Sequence, residues 1–223
     1  MRVHRRSSAP YRLAWVTLAC GLTAVLAHEL REGDRLLLDE DILSRIAAWR
    51  SPSGIVVATD ITALGSATVV TLFASCACVV FALARKPRIV ARLIASVVGA
   101  LLLSSILKAF VSRDRPSAAI SLTQTAGDSF PSGHAFVASA FFVAIAVIAR
   151  ERFGPSRATR AVVILCTAIA SLVAVSRVYL GAHYPTDVLA GFALGTSWAL
   201  GVAWWIRDED RGEDEPAVRS ESD

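Results

Sequence analysis

The chain has 223 residues, 54% of them hydrophobic, with a mean hydropathy of +0.53 and a net charge of +4. These values exclude an ordinary soluble domain and indicate an integral membrane protein with room for one compact domain. The positive excess does not argue for a nucleic-acid partner, because the basic residues stand in short clusters between apolar runs, as topology signals do.

Six apolar runs are candidates to cross the roughly 30 Å of hydrocarbon, near Leu13–Ala27, Ile61–Ala84, Ile89–Leu107, Ala135–Ala149, Ala161–Val175 and Val188–Ile206. The first follows Arg2, Arg5 and Arg6 and so mimics a secretory signal. It leads into His28-Glu29-Leu30-Arg31 rather than a small-residue cleavage site, so it is read as a retained span. Between the first two runs, Leu36, Leu37, Leu38, Ile42, Leu43, Ile46, Ala47 and Trp49 recur at roughly helical spacing among charged residues. This predicts an amphipathic helix on the outer membrane surface, with Arg31, Arg35, Arg45 and Arg50 toward lipid headgroups. Asp60 is expected to cap the second span.

The fold class is therefore all-α: a polytopic bundle of six transmembrane helices plus the interfacial helix. Residues 1–12 form a cytoplasmic segment, 13–206 the membrane domain and 207–223 an acidic, disordered cytoplasmic tail with eight acidic residues against three arginines. Fifteen of the twenty-three lysines and arginines fall on the side that holds both termini. The positive-inside rule makes that side cytoplasmic. Trp15, Trp198, Trp204 and Trp205 gather toward the same side, as an aromatic belt would. Gly191 and Gly195 allow a close helix contact, within the bundle or between protomers. Cys20, Cys76, Cys78 and Cys166 all lie in apolar segments and are read as small packing residues.

Three clusters face outward in this topology. The first is Lys108 with Arg115-Pro116, around Arg113 and Asp114; the second is Ser129-Phe130-Pro131-Ser132-Gly133-His134, directly before the fourth span; the third runs from Ser176-Arg177 through His183 to Asp187. Ionisable groups at the edge of a hydrocarbon slab are functional-site candidates by default. Lys108, Arg115 and Arg177 are fixed cations suited to a phosphate dianion. Pro131-Ser132-Gly133 opens a helix whose free N–H groups form an anion site, with the Ser132 hydroxyl as a further donor and Gly133 permitting close backbone approach. His134 and His183 fill the two positions that metal-free phosphoryl transfer needs, one imidazole to attack phosphorus and one to protonate the departing oxygen. Asp187, four residues after His183, can orient its imidazole. Arg113 and Asp114 are read as a surface pair, with contact to the substrate as the alternative.

Lysine, six residues and Arg-Pro; then Pro-Ser-Gly-His; then Ser-Arg, five residues, His, three residues and Asp: this pattern from Lys108 to Asp187 resembles the tripartite signature of the type 2 phosphatidic acid phosphatase superfamily. The resemblance implies a metal-independent, cofactor-free lipid phosphate phosphatase. His183 would be the nucleophile that forms a phosphohistidine, Asp187 its orienter, and His134 the acid for the leaving group and then the base for water. Lys108, Arg115, Ser132, Gly133 and Arg177 would hold the phosphate.

The expected activity is hydrolysis of a phosphomonoester or pyrophosphate on a lipid at the outer face of a bacterial cytoplasmic membrane. Undecaprenyl pyrophosphate, phosphatidic acid and phosphatidylglycerol phosphate are the candidate substrates. The alternatives are a phosphatase for soluble esters, a non-catalytic lipid-phosphate carrier, and a vanadate-dependent haloperoxidase, which the apolar spans disfavour. The bilayer and the lipid substrate are the implied partners, and the oligomeric state is left open.

Overall fold

The computed structural model describes residues 37–123 and 126–206, together with Thr17, Gly21, Thr23, Ala24, Val25, Ala27 and His28. The first expected span falls mainly outside these residues, and the acidic tail wholly so. The isolated described positions from Thr17 to His28 are helical. Seven helices follow: α1 (Leu37–Ala48), α2 (Pro52–Ala63), α3 (Ala67–Leu83), α4 (Pro87–Val111), α5 (Gly133–Phe153), α6 (Arg157–Tyr179) and α7 (Pro185–Trp205). No strand occurs among the described residues.

The helix starts are written in the sequence. Pro52, Pro87 and Pro185 occupy first-turn positions, where the missing N–H is no loss. Ser51, Ser66 and Ser156 accept hydrogen bonds from the first-turn amides of α2, α3 and α6. α4, α5, α6 and α7 are each long and apolar enough to cross a membrane. The expected second span is instead a broken one: α2 and α3, bent by 45°, pass that test only as a pair. Asp60 lies inside α2, so it caps nothing; Ser51 and Ser66 do. Gly65 stands at the break because α6 leaves no room for a side chain: a Cβ there would sit 2.2 Å from Val173 Cγ1.

α5 is the central helix and packs against α3, α4, α6 and α7. Lipid tails are as apolar as leucine, so close packing and hydrogen bonds must hold helices together in a membrane. The sequence supplies small residues for this. Ala135, Ala138, Ser139, Ala140 and Ala144 line α5, and Gly191 and Gly195 of α7 meet the Ser132 and Phe136 carbonyls of α5, so the glycine pair serves the bundle itself. Trp198 does not join a belt: its Nε1 donates to Ala95 O (2.9 Å) and its ring covers Gly99 of α4. At the end of α4 remote from the histidines, buried Arg92 pairs with Glu151 of α5 at 2.6 Å. Leu72, Val80, Leu102, Ile106, Ile164 and Leu172 are exposed, the inverse of a soluble surface and suited to acyl chains.

α1 packs against α6 and α7. Asp39 and Leu43 are buried and Ile46 half-buried, whereas Leu38 and Trp49 point outward. Positions 39, 43 and 46 share one helical face, so the inner face carries a carboxylate where the sequence pattern put it among the solvated charges. Arg50 also leaves the expected headgroup role: Nε and Nη1 each donate at 2.6 Å, to Tyr179 O and Ile120 O, and clamp the loop after α4 to the end of α6.

Candidate active site

α4 and α6 end, and α5 and α7 begin, at one end of the bundle. That antiparallel run brings Lys108, Ser132, Gly133, His134, Arg177, His183 and Asp187 together. The helices extend past the apolar runs that predicted them, α4 to Val111 and α6 to Tyr179, so Lys108 and Arg177 occupy last turns.

His183 lies in the tight turn before α7 and is almost fully buried. Its Nε2 is 3.3 Å from Arg115 Nη1. A guanidinium only donates, so Nε2 accepts and the ring proton sits on Nδ1. Nδ1 faces Asp187 Oδ2 at 3.6 Å and Ser129 Oγ at 3.4 Å. Burial pushes the His183 pKa down to about 4; Asp187 opposes the shift, and Arg177 and Arg115 add to it. The imidazole is thus neutral at neutral pH, with its Nε2 lone pair toward the arginine side.

Asp187, in the first turn of α7, is fully buried. Its Oδ2 accepts from Ser129 Oγ (2.5 Å) and Tyr184 N (2.9 Å), and its Oδ1 from Arg113 Nη1 (2.5 Å). Four-residue spacing alone suggested a helical turn between His183 and Asp187. Because α7 begins at Pro185, the carboxylate caps its own helix while facing the histidine ahead of it.

The cations come from three directions. Lys108 Nζ donates to Asp128 O at 2.6 Å. Arg115 reaches Gly127 O and Ala182 O, both at 2.8 Å. Arg177 is buried and donates from Nη1 to Thr62 Oγ1 at 3.0 Å. His134 occupies the first turn of α5, directly after Gly133.

Two buried donors beside this set have no hydrogen-bond partner among the described residues: Ser132 Oγ and Arg177 Nε. The Ser132 N–H is less free than a bare helix start suggests, since it donates to Asp187 O at 3.0 Å and ties α5 to α7. A Cβ at Gly133 would meet Ser104 Oγ at 3.4 Å and Lys108 Cε at 3.9 Å, ordinary contacts, so the glycine keeps open space beside the lysine that packing does not itself require. Cations, orphaned donors and a helix N-terminus converge here, an arrangement with the chemistry to hold an anion. Among the described residues no group of histidine, cysteine or acidic side chains has the arrangement of a metal centre.

Three residues join the site for which the sequence pattern gave no role in it. Ser129 bridges His183 and Asp187. Arg113 does not pair with Asp114; it reaches Asp187 and, through Nη2 at 2.8 Å, Asp39 of α1. Burial works to lower the Arg113 pKa, but the two carboxylates outweigh it and raise the value. A signal for Arg113 was available, since a charge two residues before Arg115 was bound to lie near the same carboxylate. Nothing local pointed from Asp39 to Thr186, 147 residues away.

Comparison with known proteins follows the same residues. The sequence profile of the PAP2 superfamily matches residues 89–211, more than half of the chain. The chain belongs to the PAP2 superfamily. Among curated PAP2-type relatives, it is 42% identical over 95 residues to phosphatidylglycerophosphatase B of Bacillus subtilis, covering 42% of this chain and 46% of that one. It is 37% identical over 119 residues to lipid A 1-phosphatase of Rhizobium etli, covering 49% and 47%. The alignments span less than half the length of these relatives. A crystal structure of a transmembrane PAP2-type phosphatidylglycerolphosphate phosphatase from Bacillus subtilis superposes with a TM-score of 0.78 at 29% identity, over 85% of this chain and 94% of that one. The PAP2 fold is shared with LpxE of Aquifex aeolicus, with a TM-score of 0.61 at 24% identity over 76% and 96%.

Proposed function

We propose that this PAP2 protein is a membrane lipid phosphatase that hydrolyses a phosphomonoester or pyrophosphate through a phosphohistidine on His183. The observation that carries this reading is the pair of orphaned buried donors, Ser132 Oγ and Arg177 Nε, beside a neutral buried histidine whose Nε2 is an acceptor. In the first step Nε2 forms a bond to phosphorus, the bond from phosphorus to the lipid oxygen breaks, and His134 delivers a proton to that oxygen. Asp187 stabilises the charge that grows on the imidazole as its lone pair is used. In the second step His134 takes a proton from water, the water oxygen bonds to phosphorus, and the N–P bond breaks to release phosphate and restore His183. Lys108, Arg115, Arg177, Ser132 and the Gly133 backbone hold the equatorial oxygens, whose charge they stabilise in both transition states.

The topology that goes with this function has six spans, with the run near Leu13–Ala27 as the first, both termini cytoplasmic and the site at the outer face of a bacterial cytoplasmic membrane. Helix α1 then rests at the outer interface, with Leu38 and Trp49 toward lipid. A headgroup reaches the site at the helix ends while its chains stay beside the bundle. The names of the relatives make phosphatidylglycerol phosphate the first substrate to try and lipid A 1-phosphate an additional one, beside phosphatidic acid and undecaprenyl pyrophosphate. The test is phosphate release from this panel in detergent, with a short water-soluble ester in parallel. A strong preference for one lipid is expected. Equal efficiency on the soluble ester would favour a soluble-substrate phosphatase, and binding without release from any substrate would leave a carrier.

A further inference from the structure

We infer that Asp39 and Arg113 are positioning residues for the nucleophile, the outer members of a chain of polar contacts running Asp39–Arg113–Asp187–His183. The inference rests on the reading of His183 as the nucleophile. Arg113 spans two carboxylates with separate nitrogens: Nη1 takes Asp187 Oδ1 at 2.5 Å and Nη2 takes Asp39 Oδ2 at 2.8 Å. Nη1 also lies 3.0 Å from Thr186 Oγ1. The Tyr184 ring covers the guanidinium, 4.1 Å from Cζ to its centroid. Asp39 is as buried as Asp187 and is fixed from the far side by Thr186 N (3.0 Å) and by the Thr186 hydroxyl.

The consequence for Asp187 is a division of labour between its oxygens. Oδ1 belongs to Arg113, so Oδ2 is left for Ser129, Tyr184 N and His183, and the carboxylate cannot rotate without breaking the arginine bond. The charges also balance in a way a surface pin would not need. Two buried carboxylates share one guanidinium, which leaves one negative charge to face a neutral imidazole. Burying such groups is tolerable only when they are paired. Asp39 lies outside the stretch that matches the PAP2 profile, so α1 contributes to the site from beyond it.

A purely structural link from α1 to α7 and a positioning chain predict different pH behaviour. The charged and titratable groups that act on His183 are Asp187 of α7, Arg177 of α6, Arg115 of the loop after α4 and His134 of α5; Lys108 of α4 acts on His134. Removing Arg113 leaves the Asp187 charge less opposed and holds a proton on His183 more tightly. Removing the Asp39 charge leaves Arg113 wholly to Asp187 and does the reverse.

The experiment compares wild type with Arg113→Met, Arg113→Lys, Asp39→Asn and the Asp39→Asn/Arg113→Met pair. Arg45→Met, on the exposed face of α1, serves as control. Phosphate release from phosphatidic acid is followed against pH in detergent, and His183 is titrated by NMR in protein labelled with ¹⁵N-histidine, assigned with His183→Gln. Arg113→Met should lower kcat about 100-fold, the cost of roughly 1 Å of misplacement, with KM within about threefold of wild type. The His183 titration should move up by about 0.5–1 pH unit in Arg113→Met and down in Asp39→Asn. The double variant should lose no more than Arg113→Met alone, and Arg113→Lys should recover part of kcat. Titrations that do not move, or move the same way in both variants, overturn the inference even where activity falls. A wild type that releases no phosphate from phosphatidic acid or from any other lipid of the substrate panel counts against the lipid phosphatase reading instead, and the NMR titration still decides the chain.

Discussion

Gly195→Ala is expected to cut turnover about 100-fold, although the residue lies two helical turns from Asp187. A Cβ there would sit 2.1 Å from Ser139 Oγ and 2.2 Å from Phe136 O, where ordinary contact begins at 3.4 Å. Ser139 cannot simply swing away, because its hydroxyl is bonded to Ala135 O (2.7 Å) and Phe136 O (3.0 Å), and Phe136 O is backbone. Relief therefore requires α5 and α7 to part by about 1 Å, as the close packing of interiors leaves no slack to absorb the methyl. Phe136 lies two residues after His134 on α5, and Asp187 lies in the first turn of α7, so the separation reaches both sides of the site. A 1 Å error in catalytic geometry costs on the order of 100-fold in rate, and overpacking of this kind costs about 1–3 kcal/mol of stability. Phosphate release and thermal unfolding in detergent measure the two effects. The control is Gly201→Ala, where nothing lies within 4 Å of the new methyl. Activity within twofold of wild type at an unchanged melting temperature would refute the reasoning, as would equal damage from Gly201→Ala.

Five further outcomes follow from the site and the packing. Because burial holds His183 near pKa 4, kcat/KM, corrected for ionisation of the substrate's own phosphate, should show no acid-side fall between pH 7.5 and 5.5, where an unperturbed nucleophilic imidazole would lose about tenfold; protonation of His134 as the general acid works in the opposite direction over that interval. The same depression makes stability fall as pH drops from about 6.5 toward 4, since the unfolded chain takes up a proton that the folded chain refuses. Asp187→Asn should reduce kcat by about 10³–10⁴-fold, since the amide removes the charge that balances the imidazole, and single-turnover kinetics would place the loss in phosphorus transfer. Glu151→Ala should destabilise by about 3–5 kcal/mol by leaving Arg92 buried and unpaired, and Arg92→Met with Glu151→Leu should recover most of it, read as melting temperature. A histidine mechanism further requires that EDTA leave turnover intact and that vanadate inhibit it; EDTA inhibition reversed by a divalent cation would exclude that mechanism.

What the sequence revealed about the fold and the site follows the range of each interaction. Apolar runs set the order and type of α4–α7, because period and hydropathy are local properties. They set the ends poorly, since Lys108 and Arg177 lie on helix surfaces where hydropathy has already fallen. The break at Gly65 was hidden in an unbroken apolar run, because its cause is Val173 on another helix. The site residues were legible as three clusters, as each helix end carries its own chemistry in a few consecutive positions. Arg113 and Ser129 stood in those clusters without a role and Asp39 stood outside them, for their partners are chosen by the packing of the loop after α4 and of α1. Arg50 and Trp198 were misread for a related reason: an arginine near an interface and a tryptophan near a helix end have common surface roles, and only the neighbouring backbone carbonyls reveal the buried ones.

Helix α4 is fastened along its whole length: Arg92 to Glu151 at one end, Ala95 to Trp198 a turn further on, and Lys108 to Asp128 at the other. Its 25 residues extend to about 37 Å, more than the roughly 30 Å of hydrocarbon in a typical bilayer. A helix held at several points cannot relieve that mismatch by tilting alone; α4, α5 and α7 must lean together. A thinner or thicker bilayer is thus met by reorientation of a nearly rigid block, within which the distance from Lys108 to the start of α5 stays constant. For the proposed lipid phosphatase, the membrane would then act on how a headgroup arrives at the site and leave the candidate phosphate pocket itself mechanically insulated.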